Sequence, residues 1–263
     1  MHPLMHVAVK AARNASKIIM RSFDRLNRLK IMEKGFNDFV SEADQLAEQE
    51  IINTIHDLYP KHAILGEESG ESGGSSDNEY TWIIDPIDGT VNYIHGYPHF
   101  SISIAVQYRN KTQCGVIYDL IAQEMYTAEQ GGGAFCNNKR IRVSQYKQLQ
   151  GSILGNGFAH NDVRRFEEYM QTLSKLELIA AGIRRSGSSA LDFAYVASGK
   201  LDGMFVFNLK PWDVAAGSLL VTEAGGMISD FQGADKYFET GNVVAGNPQV
   251  YKELLAAIQQ VSA

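Results

Sequence analysis

Cysteine is almost absent from this chain of 263 residues. Cys114 and Cys136 are the only two, and neither sits in a metal-type or redox-type pair. That argues against a disulfide scaffold and predicts reduced thiols, at the surface or in the core, in a cytoplasmic protein. Positive charge is in deficit as well. Lys and Arg total 24 against 30 Asp and Glu, a net charge of -6. No overall field therefore draws the chain to nucleic acid or to an anionic membrane, although a local basic patch is compatible with that balance. Long apolar runs are missing too. Lys10, Arg13 and Lys17 interrupt the N-terminal apolar stretch, so it does not read as a signal peptide. No uninterrupted stretch is long enough to span a bilayer, and a soluble, intracellular protein with no membrane partner is expected.

What is present suffices for a full core: 44% of the residues are hydrophobic, and 24 glycines leave many turns. The length suits one large domain or two small halves sharing an interface. Leu4, Val7, Ala8, Ala11, Ala12, Ala15, Ile18 and Ile19 follow the helical period and predict a first helix to about Phe23. Residues 30–40 read as a polar connection. Ser41 to Asp44 form an S-x-x-D start, and Leu46, Ala47, Ile51, Ile55 and Leu58 lie on one face of a second helix that stops before Pro60. Ala63 to Leu65 read as a short strand, and Gly70 to Asn78 as a mobile surface loop. Ser101 to Gln107, Thr112 to Tyr118 and Glu124 to Ala128 predict an antiparallel meander. Gly131 to Gly133 lack the Lys-Ser/Thr ending and following helix of a phosphate loop, so a turn is expected there.

Near residue 150 the rhythm changes to alternating strands and helices. Strands are expected at Ile153-Leu154, Gly203 to Phe207 and Val243 to Ala245. Helices are expected at Asp162 to Leu176, Gly187 to Ser198, Asp213 to Ala224 and Pro248 to Val261, the last with Asn247 as N-cap. An α+β half over residues 1–148 is thus followed by an α/β half over 149–263, with the functional site expected between them. No internal repeat is visible.

The most informative segment is Trp82-Ile83-Ile84-Asp85-Pro86-Ile87-Asp88-Gly89-Thr90. The apolar run reads as a buried strand that stops at Asp85, where Pro follows, and Asp88-Gly89-Thr90 reads as a helix entry whose free N–H groups can hold an anion. Carboxylates for a hard cation beside N–H groups for a phosphate are what metal-assisted phosphoryl chemistry requires. Glu67, Asp85, Asp88 and Asp213, with the Ile87 carbonyl, each lie at the end of a regular element, and such ends gather on one edge of a layered fold. Four carboxylates together repel unless cations neutralise them, and an all-oxygen set favours Mg²⁺ over Zn²⁺. Plainer roles stand beside these: Asp85 as a strand end, Asp88 and Asp213 as helix caps, Asp44 as the acid of a capping box, Glu67 as a solvated loop acid.

Gly66-Glu67-Glu68, Asp85 to Thr90, and Pro211-Trp212-Asp213-x-Ala215-Ala216-Gly217 followed by Glu223-Ala224-Gly225-Gly226 resemble the signatures of the inositol monophosphatase family. The matching order runs from Lys34 to the last helix. Arg184 to Gly187 and Leu191 to Ala197 resemble its bacterial branch, which includes antitermination-linked members. The resemblance implies a layered α-β-α-β-α sugar-phosphatase-type fold and a homodimer. It also implies dependence on two or three Mg²⁺ ions, inhibition by lithium, and hydrolysis of inositol monophosphate or related polyol and sugar phosphates by a metal-activated water. By the same resemblance, Glu67, Asp85 and the Ile87 carbonyl hold the first metal, and Asp85, Asp88 and Asp213 the second, with a weaker third near Glu67. Asp44 and Thr90 resemble the pair that orients the attacking water, with Glu67 in the catalytic set. Ile87, Asp88, Gly89, Thr90, Arg184, Ser189 and Asp213 then belong to substrate binding.

The match departs at the leaving group. Seven residues before Asp213, where many members carry a Glu that accepts an inositol hydroxyl, stands Val206; Asn208 replaces a common Gly, and Ser189 a frequent Ala. Valine accepts no hydrogen bond, so weak selectivity for inositol is expected. A haloacid-dehalogenase-type phosphatase is the competing enzyme reading, but its acids are separated by one residue, and here two intervene. A regulatory protein that binds transcription machinery, with catalysis secondary, is the reading of another class.

Overall fold

The computed structural model describes residues 3–35, 38–74, 79–158 and 165–261. The helix α1 (Pro3–Phe23) is followed by a hairpin of β1 (Ile31–Gly35) and β2 (Asp38–Ser41), then α2 (Glu42–His56), β3 (Ala63–Gly66), β4 (Gly70–Gly73), β5 (Tyr80–Asp88) and α3 (Thr90–Ile94). Next come β6 (Ser101–Tyr108), β7 (Lys111–Asp119), β8 (Glu124–Glu129), β9 (Gly133–Cys136) and β10 (Lys139–Arg140). The rest comprises β11 (Ile153–Phe158), α4 (Phe166–Glu177), β12 (Gly182–Arg184), α5 (Ser189–Ala197), β13 (Gly203–Phe207), α6 (Pro211–Glu223), β14 (Met227–Ser229), α7 (Tyr237–Thr240), β15 (Val243–Gly246) and α8 (Pro248–Gln259).

Two large sheets organise these elements. One has eight strands in the order β10-β9-β8-β7-β6-β5-β3-β4, and the other has five in the order β12-β11-β13-β15-β14. Three apolar clusters show how the layers stack. Ala8, Ala11 and Ile19 of α1 and Ala47 and Ile51 of α2 pack on Trp82, Ile84, Ile104 and Val116 of the larger sheet. Its opposite face, through Ile83, Ala105 and Ile117, packs on α5 and α6, which also cover Met204, Val206, Val243 and Ala245 of the smaller sheet. The far face of that sheet, through Leu154, Phe205 and Val244, packs on Tyr169 and Leu176 of α4 and Leu254 and Ile258 of α8. The order is therefore α-β-α-β-α. Helices α5 and α6 are buried on both sides and carry small residues for that reason: a Cβ on Gly217 would lie 2.4 Å from the Phe193 ring.

Several sequence expectations meet a different outcome. Residues 30–40 form the paired strands β1 and β2 instead of an open connection. Their polar residues gave no alternating signal, and Ile31 and Met32 remain exposed. Gly70–Gly73 is an edge strand antiparallel to β3, not a loop. Residues 75–78 of the expected loop, and the expected start of a helix at Asp162, lie outside the described residues. The buried strand does not stop at Asp85. It continues through Pro86 to Asp88, with Asp85 opposite Ser103 and Asp88 opposite Ser101 of β6. Three steps on β5 thus match two on β6, which is a bulge, and the missing N–H of Pro86 is tolerated there. The extra residue also resets which way side chains point. Ile84 and Ile87 both pack toward α1 and α2. Asp85 and Asp88, facing partners two residues apart on β6, share the other side.

Candidate metal and phosphate site

That shared side faces the start of α5 and α6. On β6, the Ser103 hydroxyl donates to Trp212 O at 3.2 Å, and Ser101 Oγ lies 3.4 Å from Ser188 Oγ. Pro211 opens α6, so Asp213 falls in its first turn, where its Oδ2 accepts the Lys210 N–H at 2.7 Å. Single carboxylate oxygens of Asp85, Asp88 and Asp213 come within 4.8 Å of one another, and this is the group of metal-type side chains found among the described residues. Glu67 enters from the loop after β3, next to Asp85, where its carboxyl favours the protonated form of Asp85.

The electrostatics follow from burial. Asp85, 2% exposed, is held far above the usual carboxylate range, first by loss of water and then by the charges of Glu67, Asp88 and Asp213. Burial pushes Asp88 up to about 6, although the Ser188 hydroxyl and the Ala190 and Ser189 backbones favour its charged form. Asp213 rises to about 7, from desolvation first and Asp88 second. Asp85 Oδ1 is buried without a hydrogen-bond partner. An orphaned carboxylate oxygen amid three other acids is costly in a metal-free protein, and a hard, oxygen-seeking cation such as Mg²⁺ fits the donor set.

Asp44 and Thr90 meet beside this cluster. Asp44 is fully buried, and its Oδ2 accepts the Ser41 N–H at 2.9 Å and the Ser41 hydroxyl at 2.5 Å, completing the capping box of α2. Its Oδ1 lies 3.3 Å from the Thr90 hydroxyl, which is also 3.0 Å from the Ile87 carbonyl. Asp44 is therefore both the cap acid and a partner of Thr90. Gly89 precedes α3 with φ of 97°, and a Cβ there would lie 3.1 Å from Gly187 O and 3.2 Å from His99 O, so only glycine fits.

A cleft of about 500 Å³ opens next to Asp88 and Asp213, walled by Asn156, Gly157 and Val206 from the smaller sheet, by Leu209 just after β13, and by Arg185 to Ser189 before and at the start of α5. Sequence reading missed several groups here. Ser188 caps α5, and its hydroxyl makes a very short hydrogen bond to Asp88 Oδ2, which also accepts the Ala190 N–H at 2.9 Å. A serine just before an apolar helix was the available signal. Buried Asp192 accepts the Ser186 hydroxyl at 2.8 Å. Ser189 lines the cleft. At the arginine pair it is Arg185 that lines the cleft, reaching over the Tyr169 ring at 5.8 Å, while Arg184 is exposed at the end of β12 and is not part of the cleft wall.

A sequence model of the inositol monophosphatase family matches residues 1–263. The chain belongs to the inositol monophosphatase family. A curated relative, the Nus factor SuhB of Pseudomonas aeruginosa, is 45% identical over 262 residues, covering 98% of this chain and 97% of that protein. Among solved structures, the extragenic suppressor protein suhB of Bartonella henselae superposes with a TM-score of 0.95 at 40% identity, covering 98% of this chain and 99% of that one. The inositol monophosphatase of Anabaena superposes with a TM-score of 0.85 at 36% identity, covering 98% and 95%. The layered fold is thus that of the family, and the family's phosphatase architecture is present. No helix among the described residues is long and apolar enough to cross a membrane.

Proposed function

We propose that the protein is a Mg²⁺-dependent phosphomonoesterase acting on inositol monophosphate or related polyol and sugar phosphates. The observation that carries this reading is the triad of buried Asp85 and Asp88 with half-buried Asp213, which has an orphaned Asp85 oxygen and reaches the cleft through Asp88 and Asp213. Glu67, Asp85 and the Ile87 carbonyl would hold one ion, and Asp85, Asp88 and Asp213 a second. Bound there, the metal would supply the concentrated positive charge that attack of water on a phosphate ester draws on. The chain's own groups handle the proton. If the Thr90 hydroxyl donates to Asp44 Oδ1, its lone pairs are left to accept from an attacking water. The Ser41 bonds to Oδ2 keep the Asp44 carboxylate from rotating away. Gly89 and Thr90 present free N–H groups to the phosphate. The whole chain acts as one unit, with the substrate entering between the two sheets.

The leaving group would meet the Val206 and Leu209 side of the cleft. Val206 is 1% exposed, and a Cβ on Gly157 would come within 2.8 Å of its Cγ1, so this wall is tightly packed and apolar. Discrimination among polyols should accordingly be weak. The test is phosphate release from inositol, glycerol, nucleotide and sugar phosphates with and without Mg²⁺. Metal-dependent turnover of the polyol esters is expected, and none on any ester would reject the reading. The name Nus factor SuhB carried by the Pseudomonas relative supports a second reading, a regulatory protein that binds transcription machinery with catalysis secondary. A chain inert on every ester would favour it.

A further inference from the structure

Glu48 lies one helical turn after Asp44 on α2, so the two side chains share a face of the helix, and both are buried, at 2% and 0% exposed. Asp44 turns toward Thr90. Glu48 reaches instead to the loop after β3, where its Oε2 accepts the Glu68 N–H at 3.0 Å and its Oε1 the Ser69 N–H at 2.8 Å. On the other side of Glu67, its own N–H donates to Ile84 O of β5 at 3.0 Å. Glu67 is thus bracketed, by β5 through its own amide and by Glu48 through the next two. Gly66 makes room for this arrangement, since a Cβ there would sit 2.6 Å from the Glu48 carboxyl carbon and from one of its oxygens. A carboxylate buried against backbone amides makes charge-assisted hydrogen bonds, which are stronger and more directional than neutral ones.

We infer that Glu48 is the positioning residue of the acidic centre, holding the Gly66 to Ser69 loop so that the Glu67 carboxylate stays beside Asp85. The inference rests on the reading that these acids bind Mg²⁺. It makes α2 a common strut, with Asp44 set by one turn and Glu67, through Glu48, by the next. Glutamine keeps the size of Glu48 but turns an NH₂ group toward one of the two amide donors, so one bond is replaced by a repulsive contact.

The test is Mg²⁺ binding to the full-length Glu48→Gln variant by titration calorimetry, with the melting temperature of the metal-free protein measured alongside. The expected result is a Kd for Mg²⁺ raised about tenfold or more, as loss of a charge-assisted bond implies. The Mg²⁺ concentration for half-maximal phosphate release should rise in parallel, while kcat at saturating Mg²⁺ changes much less. A wild-type Mg²⁺ affinity in the variant, whatever its melting temperature, would make Glu48 a merely structural residue and overturn the inference. Gly66→Ala displaces the same carboxylate without touching α2, and it decides by the same criterion if Glu48→Gln does not fold. Absence of Mg²⁺ binding in the unmodified chain would instead overturn the metal reading itself, and this inference with it.

Discussion

The two sheets meet the cleft with opposite chemistry. From the larger come acids that repel one another: Asp85 and Asp88 on β5 and Glu67 after β3, all buried or half-buried. From the elements around the smaller come groups that hold and shape: the Ser188 hydroxyl and the Ala190 amide on Asp88, and the Val206, Leu209 and Asn156 walls of the cleft. The repulsion centres on the acids of the larger sheet, joined by Asp213 from α6, and the donors that restrain Asp88 arrive from a segment about a hundred residues away. Chemistry and recognition are therefore separable by mutation.

The sharpest way to break the division is Asp88→Asn, which removes one charge and almost no volume from the acidic side. Phosphate release at saturating Mg²⁺ should fall by about a thousandfold, the upper range for removing one group that stabilises the transition state. The metal-free protein should melt no lower than wild type, because a repulsive charge has gone. Near-normal turnover would show that the acids do not do the work assigned to them. On the recognition side, Val206→Glu should change the ratio of kcat/KM for inositol phosphate over glycerol phosphate by about tenfold, the worth of one hydrogen bond to a charged group. A wild-type enzyme that already prefers inositol sharply would show that Ser189, Arg185 or another group supplies the selectivity.

Ser188→Ala tests the joint between the two sides. Loss of its bond to buried Asp88 should cost about 1–2 kcal/mol, or roughly 2–8 °C in melting temperature for a chain of this size. An unchanged Tm would mean that Ala190 and Ser189 restrain Asp88 without it. The remaining effect concerns pH. Asp88 and Asp213 rise from 3.8 to about 6 and about 7 in the folded, metal-free protein, so the folded state holds more protons than the unfolded one. The stability this represents is complete below pH 3.8 and is lost as pH rises through 6 and 7. Bound Mg²⁺ relieves the repulsion, so the gain in Tm on adding Mg²⁺ should be larger at pH 8 than at pH 5. Equal gains would indicate a cation held by other groups.

Legibility in the sequence divides along the same line. Asp85, Asp88 and Thr90 sit within six residues, and their signature could be read because one bulged strand and its turn carry them all. Asp213 was legible through the Pro211-Trp212-Asp213 signature, although the sequence put the helix start at Asp213 and the structure puts it at Pro211. Helices α1, α2, α6 and α8 and the β6 to β8 meander were visible in their apolar periods. The β1–β2 hairpin and edge strand β4 were not, since polar strands held by backbone pairing leave no such pattern. Ser188, Asn156, Arg185 and Glu48 matter only through contacts made between distant segments. Their local sequence said helix cap, strand or helix face, and nothing in it named the partner.

Proline at 86 has a consequence for how this stretch tolerates change in length. Shortening it by one residue would restore an ordinary ladder with Asp88 still on the side of Asp85, whereas removing the bulge at constant length would swing Asp88 into the layer occupied by α1 and α2. Nor can the strand slip by one position to heal the defect, because a nitrogen without hydrogen cannot take up a rung. The shared side of Asp85 and Asp88 therefore depends on the bulge, and Ile87 between them, fully buried toward α1 and α2, is as constrained as the acids.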